Sequence, residues 1–436
     1  MVKEPLAQSQ SLPKPDRSKL LEYPTLSLKE RDRRWSLVRK MMEENEIEAL
    51  MVLPGGPFDD PSNYLTNSGR NLLFFPLQGE PIVFLEGSFW RLSVPMNSEM
   101  YGIEPWVKWR YVEGIADEWI KILRESGRTS SRIGIIGSSH FFSQQQQRTA
   151  SLLTNSIKKV LPNVTFVDLW KQYVQIWLVK SEEEITMFRK AALALEVAAE
   201  EFVNTCKPGN TLADIQTAVL SAVIPYGVDL LRPEVSSGPD GGRGILWLGA
   251  GLKPPIVSKG DLIYSELFAW VGPLHAQAQI CVSVGEPTEE KKKLASLARE
   301  AYEIGVKTIC PGITFGDLAE AMNKPNRREG AWKLTPLVHS LNPLEPVDKN
   351  PEGMLGPRGF PGLKERVGDL NRQLLESSEG RPRRFDLVIQ EGWTFQFEPN
   401  SCYGRTYVDI GGNILVTKDG CEELNKIPTR MVVVPA

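Results

Sequence analysis

The sequence predicts two folded domains, an α/β domain followed by an α+β domain. Three observations favour this fold class. The length of 436 residues exceeds that of one typical domain, which is about 150 residues. In the first part of the chain, apolar runs alternate with amphipathic helical segments, a pattern typical of a sheet covered by helices. In the second part, two copies of one helix–turn–helix pattern are separated by long extended segments, which indicates an internally duplicated α+β domain.

Residues 1–25 are polar and rich in proline, so we expect an arm that is poorly ordered or draped on another surface. The first domain is predicted to span residues 26–178. Its first helix follows Ser27, a plausible N-cap, and should run over residues 28–46. The apolar runs EALMVLPGG, EPIVFLEG and SRIGIIGSS predict buried strands, and DEWIKILRES and RTASLLTNSIKKVL predict amphipathic helices between them. This order favours a mostly parallel sheet.

The second domain is predicted to span residues 179–436. It should begin with a long helix over residues 181–206, whose first turn is acidic. The segments KPGNTLADI and CPGITFGDL each follow a long helix with a Pro-Gly stop and then open a shorter helix. Their similarity indicates an internal duplication. Residues 343–385 are rich in proline, glycine and charge, and they are too many for an ordinary connection, so we expect a lid or a surface insertion there.

Composition excludes several classes of protein. The chain has 51 Lys and Arg against 54 Asp and Glu, a net charge of -3, which argues against a basic surface for nucleic acid or membrane. Five cysteines without a CxxC pair argue against a disulfide scaffold or a thiolate zinc finger. The first residues lack the apolar core of a secretory signal, and no apolar stretch is long enough to span a membrane. We therefore expect a cytoplasmic protein without a nucleic-acid or membrane partner.

Polar side chains lie among apolar ones in three of the extended segments, and in LHAQAQICVSV they alternate with Ala and Ile. They are Glu266 in DLIYSELFAW; His275, Gln277 and Gln279 in LHAQAQICVSV; and Gln396 and Glu398 in TFQFEPNS. Alternate residues of a strand face the same side of a sheet. A carboxylate among apolar neighbours must be neutral, paired, hydrogen-bonded or metal-bound, which favours a shared site. The alternative is a solvated face of an antiparallel sheet. Of the other two histidines, His140 is taken as structural, whereas His339 in TPLVHSLNP is a candidate.

From residue 180 to the end, the sequence resembles the pita-bread family of methionine aminopeptidase, aminopeptidase P, prolidase and creatinase. The resemblance is carried, in order, by KSEEEITMFRKAA, KPGNTLADI, VSSGPDG, SKGDLIYSELFAWVG, EGWTFQFEPN and NILVTKDGCEELN. The first half, with SNYLTNSG, is similar to the smaller domain of the prolidase and creatinase branch. The resemblance therefore implies a creatinase-like α/β domain followed by a pita-bread domain with a curved antiparallel sheet.

The metalloenzymes of this family hold two divalent ions with two Asp, one His and two Glu, and these ions activate a water molecule. At the corresponding positions this chain has Glu266, Gln277, His339, Glu398 and Gly411. An amide and a glycine replace two carboxylates, which leaves too little negative charge for two ions. Nearby Asp409 could compensate in part.

Creatinase represents a metal-independent branch of the fold, and this chain resembles creatinase in the metal ligands that are missing. The resemblance implies a metal-independent hydrolase or lyase, most simply acting at a C–N bond of a small polar substrate. His275 or His339 would be the general base, and Glu266 and Glu398 would orient the base or bind a cationic group. The residues expected to contact substrate are Gln277, Gln279, Gln396, Asp409 and Arg70, the last for a substrate carboxylate. The creatine reaction itself is not supported, because a catalytic histidine is missing before SKGDLIY.

Other functions stay open. The chain could be a metallopeptidase of the aminopeptidase P or prolidase type, with a single divalent ion at Glu266, His339 and Glu398. It could be a non-catalytic binding protein, or a lyase of C–S or C–O bonds. In two-domain relatives the small domain of one subunit reaches the site of the other, so we expect a homodimer with Arg70 near the partner's site.

Overall fold

The chain folds into two compact units, as seen in a computed structural model. The first unit is Thr25–Glu183, and the second combines Met1–Pro24 with Glu184–Ala436. The structure describes residues 4–56, 58, 60–68, 72–86, 106–137, 144–231, 233–241, 251–349, 351–366, 368, 384–426 and 429–436. Arg70 and His140 lie outside these residues, as does most of the second half of the predicted 343–385 insertion.

The first unit is an α/β domain built on a mixed sheet. Its elements are α1 (Leu28–Glu44), β2 (Ala49–Val52), α2 (Pro61–Thr66), β3 (Leu72–Pro76), β4 (Ile82–Glu86), β5 (Lys108–Val112), α3 (Ile115–Glu125), β6 (Arg132–Ile136), α4 (Gln144–Val160), β7 (Thr165–Asp168) and α5 (Trp170–Leu178), while β1 belongs to the second unit. The strand order is β5-β4-β3-β2-β6-β7. The pairs β2–β6, β6–β7 and β4–β5 are parallel, and β2–β3 and β3–β4 are antiparallel.

Local sequence accounts for most of this unit. The predicted cap is confirmed, because the Ser27 side chain accepts a hydrogen bond from the Glu30 amide at 3.2 Å. The three predicted strands correspond to β2, β4 and β6, and both predicted helices form. The antiparallel strand β3 is not among the predicted strands, and it makes the sheet more mixed than expected. Its sequence LLFFP is buried on both faces, so it shows no alternation of polar and apolar residues.

The second unit is an α+β domain with two main sheets. Its elements are β1 (Leu6–Gln8), α6 (Glu182–Thr205), α7 (Leu212–Val223), β8 (Asp229–Leu230), β9 (Glu234–Ser236), β10 (Leu262–Val271), β11 (Leu274–Val284), α8 (Glu289–Thr308), α9 (Phe315–Glu329), β12 (Val338–Ser340), β13 (Thr394–Phe397), β14 (Asn400–Tyr403), β15 (Thr406–Asp409), β16 (Gly412–Thr417), β17 (Gly420–Glu423) and β18 (Met431–Val434). One sheet has the order β1-β18-β11-β10-β8, with β9 also paired to β10, and the other has the order β12-β13-β16-β17. The predicted fold class is confirmed.

The N-terminal arm is part of this second unit. Strand β1 pairs in parallel with β18, and Arg17 forms ion pairs with Glu200 and Glu201 at 2.9 and 2.8 Å. The Lys190 ammonium donates to the Glu22 carbonyl oxygen at 2.5 Å. Of the two expectations for the arm, the structure therefore supports draping on another surface.

The predicted duplication is visible in matching hydrogen bonds. Thr211 and Thr314 each cap a helix through a capping box with the acidic residue three positions on. The residues Thr211 and Thr314 also form isolated antiparallel bridges with Ile256 and Val388. Glu398 follows Val388 at the same separation as Glu266 follows Ile256. The duplication therefore places the two glutamates at equivalent positions of β10 and of the segment that ends β13.

The first residues of the predicted insertion lie in the interior rather than on the surface. Residues 343–348 are buried, and the Ser340 amide donates to the Pro346 carbonyl oxygen at 2.9 Å. Lys333 and Asp348 form a buried ion pair at its end. Among the helices that the structure describes, none is long and apolar enough to cross a membrane.

Candidate active site

Two neighbouring strands supply one polar face. Strands β10 and β11 are antiparallel, with Glu266 opposite Gln279 and Trp270 opposite His275. Residues directly opposite one another share a face of the sheet, so Gln277 lies between these pairs on the same side. Most of the face is buried, but Glu266 and Trp270 keep partial exposure. The alternation predicted for β11 therefore places His275, Gln277 and Gln279 on the face that also carries Glu266.

Two glutamine amides bridge two carboxylates. The Gln277 Nε2 donates to Glu266 Oε1 and, at 3.1 Å, to Glu398 Oε2. The Gln279 Nε2 donates to the same two oxygens, at 3.3 Å and 2.5 Å. Each carboxylate therefore uses one oxygen for both amides. The arrangement is a four-residue square of alternating donors and acceptors.

Gln396 extends this network from β13. Its Nε2 donates to Gln279 Oε1 and, at 3.0 Å, to the Phe397 carbonyl oxygen. The Oε1 atoms of Gln277 and Gln396 are buried and have no hydrogen-bond donor among the described residues. Buried acceptors are costly unless a donor reaches them, so these two oxygens are acceptors still available for a donor.

His339, on β12, lies beside one of these carboxylates, that of Glu398. Its side chain is 3% exposed, and Nδ1 lies 2.8 Å from the Ser340 carbonyl oxygen. A carbonyl oxygen only accepts hydrogen bonds, so Nδ1 carries the hydrogen and Nε2 carries the lone pair in the neutral ring. Nε2 lies 3.8 Å from Glu398 Oε2. The imidazole can therefore take a proton at Nε2 beside an acidic group that would stabilise the resulting cation.

The carboxylates of the cluster are close together and shielded from water. The Glu266 carboxylate is enclosed by protein, although part of its side chain is accessible, and this burial is the main cause that raises its pKa to about 8. The neighbouring Glu398 adds to the rise, whereas the two amides oppose it. Burial and then Glu398 also raise the pKa of Asp409 well above its usual value. No Lys or Arg side chain bonds to these three carboxylates in the described ranges.

The two remaining predicted residues that the structure describes, Asp409 and His275, lie in different parts of the site. Asp409 is fully buried, and its Oδ2 accepts a hydrogen bond of 2.5 Å from the Tyr407 hydroxyl. Tyr264 is a neighbour that lowers the pKa of Asp409 and so opposes the effect of burial. His275 lies at the other end of the face, buried and stacked on Trp270 with 5.4 Å between ring centroids. The structure thus brings Glu266, Gln277, Gln279, His339, Gln396 and Glu398 into one cluster, and their roles stay predictions.

The donor set does not fit two metal ions. Amide NH2 groups from Gln277 and Gln279 occupy the space between the carboxylates of Glu266 and Glu398. An amide nitrogen donates hydrogen bonds and does not act as an ordinary metal ligand. Among the described residues, no group of three or more His, Cys, Asp and Glu side chains is arranged to hold a metal ion.

The position that would supply the fifth ligand is closed. A Cβ atom on Gly411 would lie 2.1 Å from the Phe397 carbonyl oxygen, 2.8 Å from Gln279 Oε1 and 2.9 Å from Gln396 Nε2. These distances are far below van der Waals contact. The glutamines therefore fill the volume that a carboxylate at residue 411 would need.

Some contributors to the site are not identified by the sequence analysis. Tyr264 and Tyr407 contact Asp409, and Asn342 and Asn413 bond to the backbone of β11. Tyr264 could have been found, because it lies two residues before Glu266 on the same face. The two asparagines leave no local signal, since their partners are main-chain atoms of a distant strand.

Comparisons with known proteins place this geometry in context. The profile of metallopeptidase family M24 matches residues 186–418. A probable dipeptidase PepE from Mycobacterium tuberculosis is 24% identical over 262 residues, which are 59% of this chain and 61% of that protein. The chain thus aligns with less than two thirds of that relative's length. A creatinase from a Bacillus species is 19% identical over an alignment that covers 71% of this chain and 75% of the creatinase.

Solved structures agree on the fold. The crystal structure of dipeptidase PepE from Mycobacterium ulcerans superposes with a TM-score of 0.69 at 18% sequence identity. The match covers 94% of this chain and 100% of that one. The resemblance to the pita-bread proteins is confirmed.

Proposed function

The chain belongs to metallopeptidase family M24, and we propose that it is a hydrolase that cleaves a C–N bond of a small polar substrate without a metal ion. The observation that carries the proposal is the pair of glutamine amides between Glu266 and Glu398. They hold the two carboxylates together with hydrogen bonds, in the place where the family resemblance would put metal ions.

The charge of the cluster suggests the kind of substrate. Glu266, Glu398 and Asp409 lie together without a bonded Lys or Arg in the part of the chain that the structure describes. The raised pKa of Glu266 keeps that residue neutral at neutral pH, so a cationic group of the substrate would be stabilised by the neighbouring Glu398 carboxylate. The unpaired Oε1 atoms of Gln277 and Gln396 add two acceptors. We propose that the substrate carries a positively charged nitrogen group with several N–H donors.

The chemistry needs a base and an acid, and two residues suit these roles. His339 Nε2 would remove a proton from a water molecule as that water's oxygen bonds to the substrate carbon. Glu266, whose raised pKa of about 8 keeps it protonated at neutral pH, would donate its proton to the departing nitrogen as the C–N bond breaks. Both amides donate to its Oε1, which leaves Oε2 for the proton. The imidazolium of His339 then returns a proton to Glu266 through solvent.

A turnover screen with and without chelator tests this proposal. Small guanidines, ureas, amides and dipeptides would be offered to the purified protein before and after treatment with EDTA and 1,10-phenanthroline. We expect turnover of a cationic compound that is unchanged by chelators and abolished in His339→Ala. Turnover that disappears with chelator and returns with added Mn²⁺, Co²⁺ or Zn²⁺ would overturn the proposal.

A metallopeptidase is the second candidate, and family membership is the observation that favours it. The matched mycobacterial protein is named as a probable dipeptidase. A single ion would have to use Glu266, His339 and Glu398, and the amides now bound to both glutamates would have to move. In the screen this candidate predicts dipeptide cleavage that depends on added metal. A binding protein without activity predicts no turnover of any compound.

A further inference from the structure

At two residues, the outer edge of β11 is held by side chains instead of a strand, whereas the Gly411 amide donates to the Gln279 carbonyl oxygen at 3.0 Å. β10 occupies one edge of β11, and on the other edge β18 pairs only with Val282–Val284. Asn342 takes the place of a strand at His275, accepting from its amide at 3.0 Å and donating to its carbonyl oxygen at 2.8 Å. Asn413 does the same at Gln277, with distances of 3.1 and 2.9 Å.

The residues whose peptide groups lie at this edge are the same ones whose side chains form the polar face. In an antiparallel strand, alternate residues direct both peptide groups to one edge and alternate side chains point to one face. Gln277 therefore presents its peptide groups to Asn413 and its side chain to the two carboxylates. A shift of its main chain would carry the amide out of the bridge, because the bonds to Glu266 and Glu398 are already at contact distance.

Asn413 is itself held firmly. It is fully buried, and both its main-chain N–H and its Nδ2 donate to Asn425 Oδ1, at 2.8 and 2.5 Å. The Asn425 Nδ2 in turn donates to the Ala192 carbonyl oxygen on α6 at 3.0 Å. Both polar atoms of the Asn413 side chain are therefore hydrogen-bonded, and through Asn425 this side chain connects β11 with α6.

We propose that Asn413 is a positioning residue of the candidate active site, which fixes the Gln277 peptide so that the Gln277 amide bridges Glu266 and Glu398. The inference rests on the proposed function, since it assigns the bridge a role in that site. Asn413 does not touch the carboxylates, so it acts only through Gln277.

The bridge can be observed without any substrate. In protein labelled with [15N]glutamine, the side-chain NH2 signals of Gln277 are identified by their loss in Gln277→Ala, and their exchange with D2O is timed. We expect Asn413→Ala to speed this exchange about tenfold or more, as expected when a hydrogen bond to a charged group is lost. An exchange rate equal to that of the native protein would overturn the proposal.

Asn413→Ser is the milder variant if Asn413→Ala does not fold, and the same result is expected from it. Asn323→Ala is the matched control, because Asn323 is also buried but bonds to Glu352 at 2.8 Å, away from β11. It should leave the exchange of Gln277 unchanged.

A double-mutant cycle adds a kinetic measurement once a substrate is known. Asn413→Ala in a Gln277→Ala background should cause no further loss in kcat/KM, because both changes remove the same bridge. Additive losses would overturn the proposal. If no compound is turned over, the proposed function fails, and the exchange rates still decide whether Asn413 positions Gln277.

Discussion

Gly411→Ala, in the connection between β15 and β16, should destabilise the protein more than an ordinary Gly→Ala change. The new Cβ would lie 2.1 Å from the Phe397 carbonyl oxygen and under 3 Å from the side chains of Gln279 and Gln396. The main chain cannot move aside as a flexible side chain can. Overpacking of this kind lowers the free energy of unfolding by about 1–3 kcal/mol. We expect a loss near the upper end, about 3 kcal/mol, because the shortest contact is to main chain.

Urea unfolding followed by tryptophan fluorescence measures this loss. Gly420→Ala is the matched control, since its Cβ would meet nothing within 4 Å and should change stability by less than about 0.5 kcal/mol. Equal stability of Gly411→Ala and Gly420→Ala would refute the packing around residue 411. It would also mean that a larger side chain fits at residue 411, so that steric hindrance would not prevent Gly411→Glu from placing a carboxylate there.

Three further predictions follow from the site and its surroundings. The pKa of Glu266 is raised to about 8, so its proton is present below that pH and lost above it. We therefore expect kcat/KM to fall as the pH rises through about 8. A Glu266→Gln variant whose kcat/KM falls in the same way at alkaline pH would contradict this assignment. His339→Ala should lower kcat by about 10²–10⁴-fold with little change in the unfolding midpoint, and steady-state kinetics that show unaltered kcat would exclude His339 as the base. Lys333→Ala removes the ammonium that forms the buried ion pair with Asp348 and should cost about 3–5 kcal/mol. Calorimetry that shows Lys333→Ala to be as stable as the native protein would argue against a buried pair.

The strands that carry the site can be predicted because their polar residues lie among apolar ones. The period of two in LHAQAQICVSV is enough to predict that His275, Gln277 and Gln279 share one face of β11. The duplicated caps at Thr211 and Thr314 are also visible in the sequence, since capping is a local interaction. These features depend on neighbours within a few residues, which is why the sequence predicts them.

The connections between distant segments could not be predicted from the residues alone. Alternation does not say that Gln279 and Glu398, far apart in the chain, share a hydrogen bond of 2.5 Å. The resemblance to the pita-bread family places Glu398 in the site, but it does not indicate that amides bridge the glutamates. The hydrogen bonds of Asn413 to β11 could not be predicted, because a side chain that bonds to main-chain atoms of another strand has no sequence pattern.

The central claim is that amide bridges take the place of metal ions between Glu266 and Glu398. Metal binding by the purified protein tests it most directly. Elemental analysis would be combined with calorimetric titration by Mn²⁺, Co²⁺ and Zn²⁺, using Glu398→Gln as the variant without that carboxylate. The amide bridges predict no stoichiometric metal in the protein and no saturable heat of binding that differs between the native protein and Glu398→Gln. Saturable binding of about two ions per chain, as in a two-metal hydrolase, that is lost in Glu398→Gln would contradict the claim.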